Sequence, residues 1–510
     1  SHSHPALTHP LLMESGVSKL YIKGMSDLTI FSKEGYSLKH VAVDINGSEN
    51  IIIRNIRFDE LWEWDEETEG DYDVNDWDYV TVEGGSDQIW IDHCTFHKAY
   101  DGVVDIKTDK TTETNVTISW CEFLPGSEEN EFFNQMMDTM AASPEDYPYY
   151  ESLLEAGMSE EQIWWYAYGQ KKTHLIGQSD DATTAININL TLANNYYFDS
   201  MDRMPRMRYG TAHVYNCIMD AQELLTARDS ITNADAAKHI VSNGASSTCD
   251  GEVLLENCKI SGIVNALNSG NGSSPSGYIN AINSLYYMYG TRYALSPKVN
   301  TTKDGEALKI LDADEFVEDL PYSDYNLYSA KDLEDILTAG AGAGKMSWSV
   351  LQWEKTVYYD STFTASEWEE TSNDGLPEYT GTSSTDDSSS DDSTTDDSND
   401  DSSSDDSSSD DSSDDGSSDT SSDDSSANST TDDTSSSDDS STDDTSSTDD
   451  TSNDDSSDDS STDDTSSSST NTGSSSSDSV QTLLADVSDS LAGSKEKNVT
   501  TVPSILGKVN

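Results

Sequence analysis

The sequence predicts an all-β chain: a right-handed parallel β-helix with a helical loop insertion, followed by a disordered Ser/Asp-rich tail. Three observations predict it. Short β-rich runs recur at unequal intervals with a shared ending, one long interruption between them has helical composition, and a stretch near the C-terminus lacks apolar residues almost entirely.

The recurring runs begin near Leu20. They include Ile51-Ile52-Ile53-Arg54-Asn55-Ile56-Arg57-Phe58, Ile89-Trp90-Ile91-Asp92-His93-Cys94-Thr95-Phe96 and Val116-Thr117-Ile118-Ser119-Trp120-Cys121-Glu122-Phe123. Leu190-Thr191-Leu192-Ala193-Asn194-Asn195, His213-Val214-Tyr215-Asn216-Cys217-Ile218 and Val253-Leu254-Leu255-Glu256-Asn257-Cys258 continue the series. Each is an aliphatic alternation, then a polar or aromatic residue, then Cys, Asn or Ile. Cys94 to Cys121 is 27 residues and Asn195 to Cys217 is 22. Unequal strand-rich repeats of this size are what a solenoid produces when loops of varying length interrupt its coils. In a parallel β-helix each coil stacks about 4.8 Å above the last, so equivalent residues form interior ladders. The five cysteines (Cys94, Cys121, Cys217, Cys249 and Cys258) then read as rungs, because a buried thiol behaves as a small hydrophobe. Their odd number and the lack of any Cys-x-x-Cys pair argue against a zinc site or a disulfide framework.

The large interruption lies between Pro125 and Lys171, where residues 128–140 and 148–168 read as helices anchored by Met136, Met137, Leu153, Leu154, Trp164 and Trp165. Long solenoid loops gather on one face and often wall a binding site. Trp164, Trp165, Tyr166 and Tyr168 have the composition of a sugar platform, but more simply form the apolar underside of the helices. From 383 to 477 the chain is almost entirely Ser, Asp and Thr in units such as Ser-Ser-Asp-Asp; nothing there offsets the entropy of ordering, and like charges extend it. Beyond it, Val480, Leu483, Leu484, Val487 and Leu491 keep helical spacing in a segment too short to fold alone. The domains therefore read as 1–365 for the β-helix, 366–478 for the spacer and 479–510 for the start of a module or anchor.

The formal net charge is −71. Residues 381–480 hold 32 aspartates and no Lys or Arg, and the remainder is still acidic, with 66 Asp and Glu against 27 Lys and Arg. Nucleic acid is excluded as a partner, since phosphate binding needs a basic face. No apolar run is long enough to span a bilayer. A polyanionic ligand would be repelled unless a metal or a local basic island intervened.

Such an island exists. Met201-Asp202-Arg203-Met204-Pro205-Arg206-Met207-Arg208-Tyr209-Gly210 places three arginines within six residues, and five of the basic residues fall between Lys171 and Arg208. Guanidinium groups grip carboxylates in a fork; ion pairing with neighbouring Asp or Glu is the plainer use. Upstream, Asp78, Asp101 and Asp105 form an oxygen-only set of the kind that suits calcium. Carboxylates followed by cations on successive coils could together hold an acidic sugar, with calcium bridging protein and substrate carboxylates.

Together, Trp90-Ile91-Asp92-His93-Cys94, Asp101-Gly102-x-x-Asp105, Lys172-x-x-Leu175-Ile176-Gly177, Arg203-x-Pro205-Arg206-x-Arg208-x-Gly210-x-x-His213-Val214-Tyr215-Asn216 and the late Ala341-Gly342-Ala343-Gly344-Lys345 resemble the pectate lyase family of polysaccharide lyases over roughly residues 20–345. The resemblance implies a parallel β-helix and calcium-dependent β-elimination of polygalacturonate to 4,5-unsaturated oligogalacturonides. It implies Asp78, Asp101 and Asp105 as calcium ligands, Arg203 as the base at C5, and Lys172 and Arg208 as substrate-carboxylate cations, with Lys171 an open alternative to Lys172. Asp92 and His93 match structural positions. It further implies a secreted or cell-surface protein, expected to be monomeric. Pectin lyase, which needs no calcium, and a non-catalytic adhesin for acidic glycans are the competing readings; neither requires the three aspartates together with Arg203.

Overall fold

The computed structural model describes residues 19–64, 77–126, 130–301, 306–323, 325–346, 371–381 and 500–503, with Leu7, His9 and Glu66. Successive coils each deliver one strand to each of three sheets, of nine, ten and nine strands, paired parallel almost throughout. The first sheet runs through Lys19–Lys23, Ala42–Asn46, Val80–Glu83, Val104–Ile106, Leu175–Ile176, Arg206–Arg208, Asn243–Thr248 and Asn265–Ser269 to Lys298–Val299. This is the expected parallel β-helix.

The sequence alternation is the reason. In the second sheet Ile51 pairs with Ile89, Ile89 with Val116 and Val116 with Leu190, and the column two residues on is Ile53, Ile91, Ile118 and Leu192. All eight side chains are buried. Period-2 patterning sends them to one face, and stacking coils close that face around a continuous core.

The shared ending of the runs is a corner. After the second-sheet strands from Glu49–Arg54 to Tyr278–Ile282 one residue adopts a left-handed conformation: Asn55, Asn194, Asn216, Asn257 and Asn283 have φ between +51° and +58°. Asparagine tolerates this region because its short polar side chain bonds locally. Asn55 Nδ2 donates to the Ser32 carbonyl at 2.7 Å, and Asn216 Nδ2 to Asn194 Oδ1 at 2.9 Å. His93 and Trp120 take the same corner at φ +46° and +53° on neighbouring coils and stack on one another, ring centroids 5.7 Å apart.

The next residue turns inward and builds the expected ladder. Cys94 N–H points to Cys121 Sγ (3.4 Å), Cys121 N–H to Asn195 Oδ1 (2.9 Å), and Asn195 N–H to Cys217 Sγ (3.5 Å). Cys258 N–H continues to Ser284 Oγ (3.0 Å). All five cysteines are buried thiols. Cys249 departs from the expectation: it lies off the ladder, in a left-handed turn after Asn243–Thr248. A second ladder stacks Phe58, Phe96, Phe123 and Tyr197, with centroids 4.8, 5.4 and 4.6 Å apart.

The insertion folds as three helices, α1 (Glu131–Ala142), α2 (Pro148–Glu155) and α3 (Glu160–Tyr168). The second expected helix is thus broken. Gly157 turns the chain at φ +97°, and Ser159 with Gln162 forms a capping box that starts α3 afresh. Phe133, Met136, Met140, Leu153 and Ile163 form the underside, against Trp62 and Trp64 of the coil. Tyr166 is buried with them, while Trp164 and Tyr168 stack on each other at 4.7 Å.

After the helix Leu333–Gly340, the Ala-Gly-Ala-Gly-Lys segment straps the corners. Gly342 N–H donates to the Trp120 carbonyl (2.7 Å), Ala343 N–H to Thr95 Oγ1 (2.9 Å), and Gly344 N–H to Asn55 Oδ1 (2.7 Å). A Cβ on Gly342 would come within 2.1 Å of Glu122 Oε2, which explains the glycine. Residues 371–381, which composition assigned to the spacer, lie on the last coil: Tyr379 packs edge-on to Tyr293 and Tyr286, and Ala294 N–H reaches the Pro377 carbonyl at 2.9 Å. The Ser/Asp run at 383–477 and the apolar spacing at 480–491 lie outside the described residues; of the terminal segment, Thr500–Pro503 is a strand antiparallel to Ser26–Phe31.

Two glycines separate conformation from crowding. Gly24 has φ +62° and open space around it, whereas Gly342 has φ +100° and the close approach described. Gly24→Ala should cost about 1 kcal/mol, the ordinary left-handed penalty, and Gly342→Ala about 3 kcal/mol, as read by chemical denaturation.

Candidate active site

The six sequence-predicted site residues fall on or beside four consecutive strands of the first sheet. Asp78 precedes Val80–Glu83, Asp101 and Asp105 bracket the start of Val104–Ile106, Lys172 precedes Leu175–Ile176, and Arg203 and Arg208 bracket Arg206–Arg208. Ile106, Ile176 and Met207 stand in one buried column, so the residues beside them, Asp105 and Arg208 included, point to the outer face.

Gly102 is the hub of the carboxylates. Asp78, itself buried, accepts the Gly102 N–H at 2.9 Å through Oδ1 and the Thr81 hydroxyl at 3.1 Å through Oδ2. Asp105 lies across Gly102 so closely that a Cβ there would sit 2.2 Å from its Oδ1. That same oxygen accepts the Leu175 N–H at 2.9 Å. Burial, and then the negative charge of Asp101, push the Asp105 carboxyl up to about 7, against the Leu175 N–H and the charge of Arg203. The Asp105 carboxyl, raised by burial and by Asp101, lies in a cradle that excludes any side chain at residue 102. The oxygen-only donor set of Asp78, Asp101 and Asp105 fits a hard divalent cation such as calcium. The three are not drawn into one tight cage: Asp78 is engaged with Gly102 and Thr81, and Asp101 with a lysine.

That lysine is Lys172, whose Nζ lies 2.7 Å from Asp101 Oδ1. Lys171 places its Nζ 5.0 Å over the Tyr166 ring of α3. Lys172 thus stands with a carboxylate of the candidate set, and Lys171 reaches an inserted helix.

Arg203 is nearly buried, at 6% exposure, and holds φ +65°. A long side chain in the left-handed region costs about 1–2 kcal/mol and persists where surrounding structure over-determines it. The bracket is His174: its N–H donates to the Arg203 carbonyl (2.9 Å), and its own carbonyl accepts the Arg206 N–H (3.0 Å). Arg208 is 1% exposed and fixed from two sides, by Asp180 (2.9 Å) and the Gly177 carbonyl (2.8 Å). Arg206, which sequence left without a role, donates to Ser274 Oγ (2.7 Å), and Ser274 passes the contact to Asp180 (2.9 Å). Burial pushes Asp180 up, but the charge of Arg208 and the bonds from Ser274 and Arg208 hold its carboxyl below the usual range.

Sequence reasoning missed two residues. One is Asp180, the counter-ion that orders the arginine pair; it stood unremarked in Gln178-Ser179-Asp180. The other is Gln170, fully buried, which accepts the Ala99 N–H (2.8 Å) and donates to the carbonyls of Asp101 (3.1 Å) and Lys172. It joins the coil carrying the carboxylates to the coil carrying the lysine, and its position after a helix carried no signal of that task. Asp92 and His93 are structural, as expected. Asp92 holds Arg54 (2.8 Å), His93 (2.9 Å) and Ser119 (2.7 Å) inside the corner.

A family model described as pectate lyase matches residues 165–345. Pectate lyase B of Paenibacillus amylolyticus is 46% identical over 262 residues, 49% of this chain and 66% of that protein. A pectate trisaccharide-lyase of Thermotoga maritima is 30% identical over 203 residues, 39% of this chain and 41% of that protein. The chain thus spans just under two thirds and about two fifths of the length of these curated relatives. The solved pectate lyase pelN from Paenibacillus sp. 0602 superposes with a TM-score of 0.62 at 41% identity, covering 70% of this chain and 84% of that one.

His174 behind the site is fully buried, bonded to the Val104 carbonyl (3.0 Å) and the Tyr197 hydroxyl (3.2 Å), and burial lowers its pKa to about 4. A depressed folded-state pKa contributes stability that is complete above the unfolded value near 6.5 and is lost as pH falls through 4. The loss is up to about 3 kcal/mol. Denaturant titrations from pH 7 to 4 should show a shallower decline for His174→Phe than for the parent.

Proposed function

The chain is a member of the pectate lyase family of polysaccharide lyases, and from that membership we propose that it cleaves α-1,4-polygalacturonate by β-elimination with calcium at Asp78, Asp101 and Asp105. The observation that carries this reading is the order of charge on the first sheet: the carboxylates of Asp78, Asp101 and Asp105, then Lys172 paired to Asp101, then the arginine turn, on consecutive strands.

A galacturonate C5 proton lies next to the C6 carboxylate. Its removal leaves an electron pair that spreads onto that carboxylate, and the pair then forms the C4=C5 bond as C4–O4 breaks and O4 leaves to take up a proton. When bound, calcium supplies positive charge to protein and substrate carboxylates together and eases the gathering of negative charge. Arg203 takes the C5 proton. Arginine keeps its proton in water up to about pH 12, so a reaction that uses it as base belongs to alkaline pH. Lys172 stands at the edge of the carboxylates, where it can transfer its pairing from Asp101 to a substrate carboxylate. Arg208, locked by Asp180 and Gly177, is a fixed cation beneath the reacting sugar rather than a mobile clamp. Such preorganised charge needs no rearrangement as the transition state forms. A polymeric substrate of this kind supports a secreted or cell-surface location.

Incubation with polygalacturonate and calcium should raise the ultraviolet absorbance of unsaturated products. Chelator should abolish the signal, and Arg203→Lys should lose at least about 10²-fold in kcat with substrate binding largely kept. Absence of product with calcium present overturns the enzyme reading in favour of an adhesin.

Calcium binding has a readout without turnover. Asp105 has a raised folded-state pKa, so without the ion its contribution to stability is complete below about 4 and is lost as pH rises through 7. Protons compete with calcium at this carboxyl. The rise in Tm on adding calcium should therefore be larger at pH 8 than at pH 5, and Asp105→Asn should flatten the difference.

A further inference from the structure

A second cluster stands apart from the arginine turn. His40 follows the strand Ser37–Lys39, Glu60 follows Arg57–Asp59 one coil later, and both hold left-handed corners at φ +59° and +57°. His9 lays its ring on His40, centroids 3.7 Å apart, and meets Phe132 of α1 edge-on at 5.2 Å. One donor atom from each of His9, His40 and Glu60 lies within 4.8 Å of the other two.

The hydrogen bonding around His40 demands a cation. Its Nδ1 lies 2.7 Å from the Glu60 carbonyl, which can only accept, so Nδ1 carries a proton. The other ring nitrogen, Nε2, faces Glu60 Oε2 at 3.1 Å. Two lone pairs cannot face each other at that distance; a proton or a metal ion must lie between them. Donation from Nδ1 to a backbone carbonyl is also the arrangement by which proteins aim an imidazole Nε2 at a metal. Lys39 binds the other oxygen, Oε1, at 2.9 Å and fixes the orientation of the carboxylate.

We propose that His9, His40 and Glu60 form a site for a borderline divalent transition-metal ion of the zinc type. Two imidazole nitrogens and one carboxylate oxygen select such an ion over calcium, and water completes the coordination. A shared ion needs the lone pair of His9 aimed at it, so loading turns that ring out of its stack. The ion would tie residue 9, whose neighbour Leu7 is fully buried, to the corners of two coils beside α1. The site is a clip for the N-terminal segment, separate from the calcium carboxylates in place and in donor chemistry.

The test is zinc titration of the full chain after chelator treatment, in calcium excess, followed by calorimetry and melting temperature. His2 and His4 are a second source of imidazole, so His2→Ala/His4→Ala is the control. One tight equivalent and a raised Tm are expected for the parent and the control. At least tenfold weaker binding is expected for His40→Ala, Glu60→Gln and His9→Ala; the last two keep the test open should His40→Ala fold poorly. Unchanged zinc binding in Glu60→Gln and His9→Ala, or its loss in the control, overturns the proposal.

Discussion

Coil stacking constrains everything else in this protein. Once one strand of a coil pairs in register with the next, every residue on it has a neighbour about 4.8 Å above and below. Inward positions must then accept a like-sized neighbour repeatedly, which produces the aliphatic columns, the Phe58–Phe96–Phe123–Tyr197 stack and the Cys/Asn ladder. Outward positions inherit the same spacing without the demand for apolarity. Chemistry can be written there one rung at a time, and the carboxylates, the lysine and the arginines are placed in just that way.

The same stacking explains how a chain of net charge −71 sustains a cationic turn. Arg208 and Arg54 are buried, and each meets a carboxylate from another coil, Asp180 and Asp92 respectively. Buried charges need partners with good geometry, and pairing across coils provides it. Lys172 differs in keeping partial exposure and a partner, Asp101, that is itself a candidate ion ligand. Its pairing can be exchanged. Gln170 and His174 make these placements rigid through backbone carbonyls and N–H groups, without contributing charge.

Much of the site was legible because it is local in sequence. Asp101-Gly102-x-x-Asp105 sits on one turn and one strand, and Gly102 is dictated by the close carboxylate above it. The arginine turn is a single peptide. Asp180, Gln170 and the pairing of Lys172 with Asp101 were not legible, because each depends on a contact between coils. Cys249 escaped the ladder for the same reason: a cysteine in a turn and one at a corner look alike in sequence. The break between α2 and α3 is a different failure, since Gly157 and the Ser159/Gln162 box were visible locally and helical composition masked them.

The sequence by itself determined the β-helix, the inward and outward alternation and the residue types of the candidate site, since period-2 patterning and turn chemistry act within a few residues. Only the tertiary structure decided which charges meet. It placed Lys172 on Asp101, fixed Arg208 between Asp180 and Gly177, and brought His9 against His40 and Glu60. Loop lengths between coils vary freely, so the spacing along the chain does not specify which residues come to lie on neighbouring rungs.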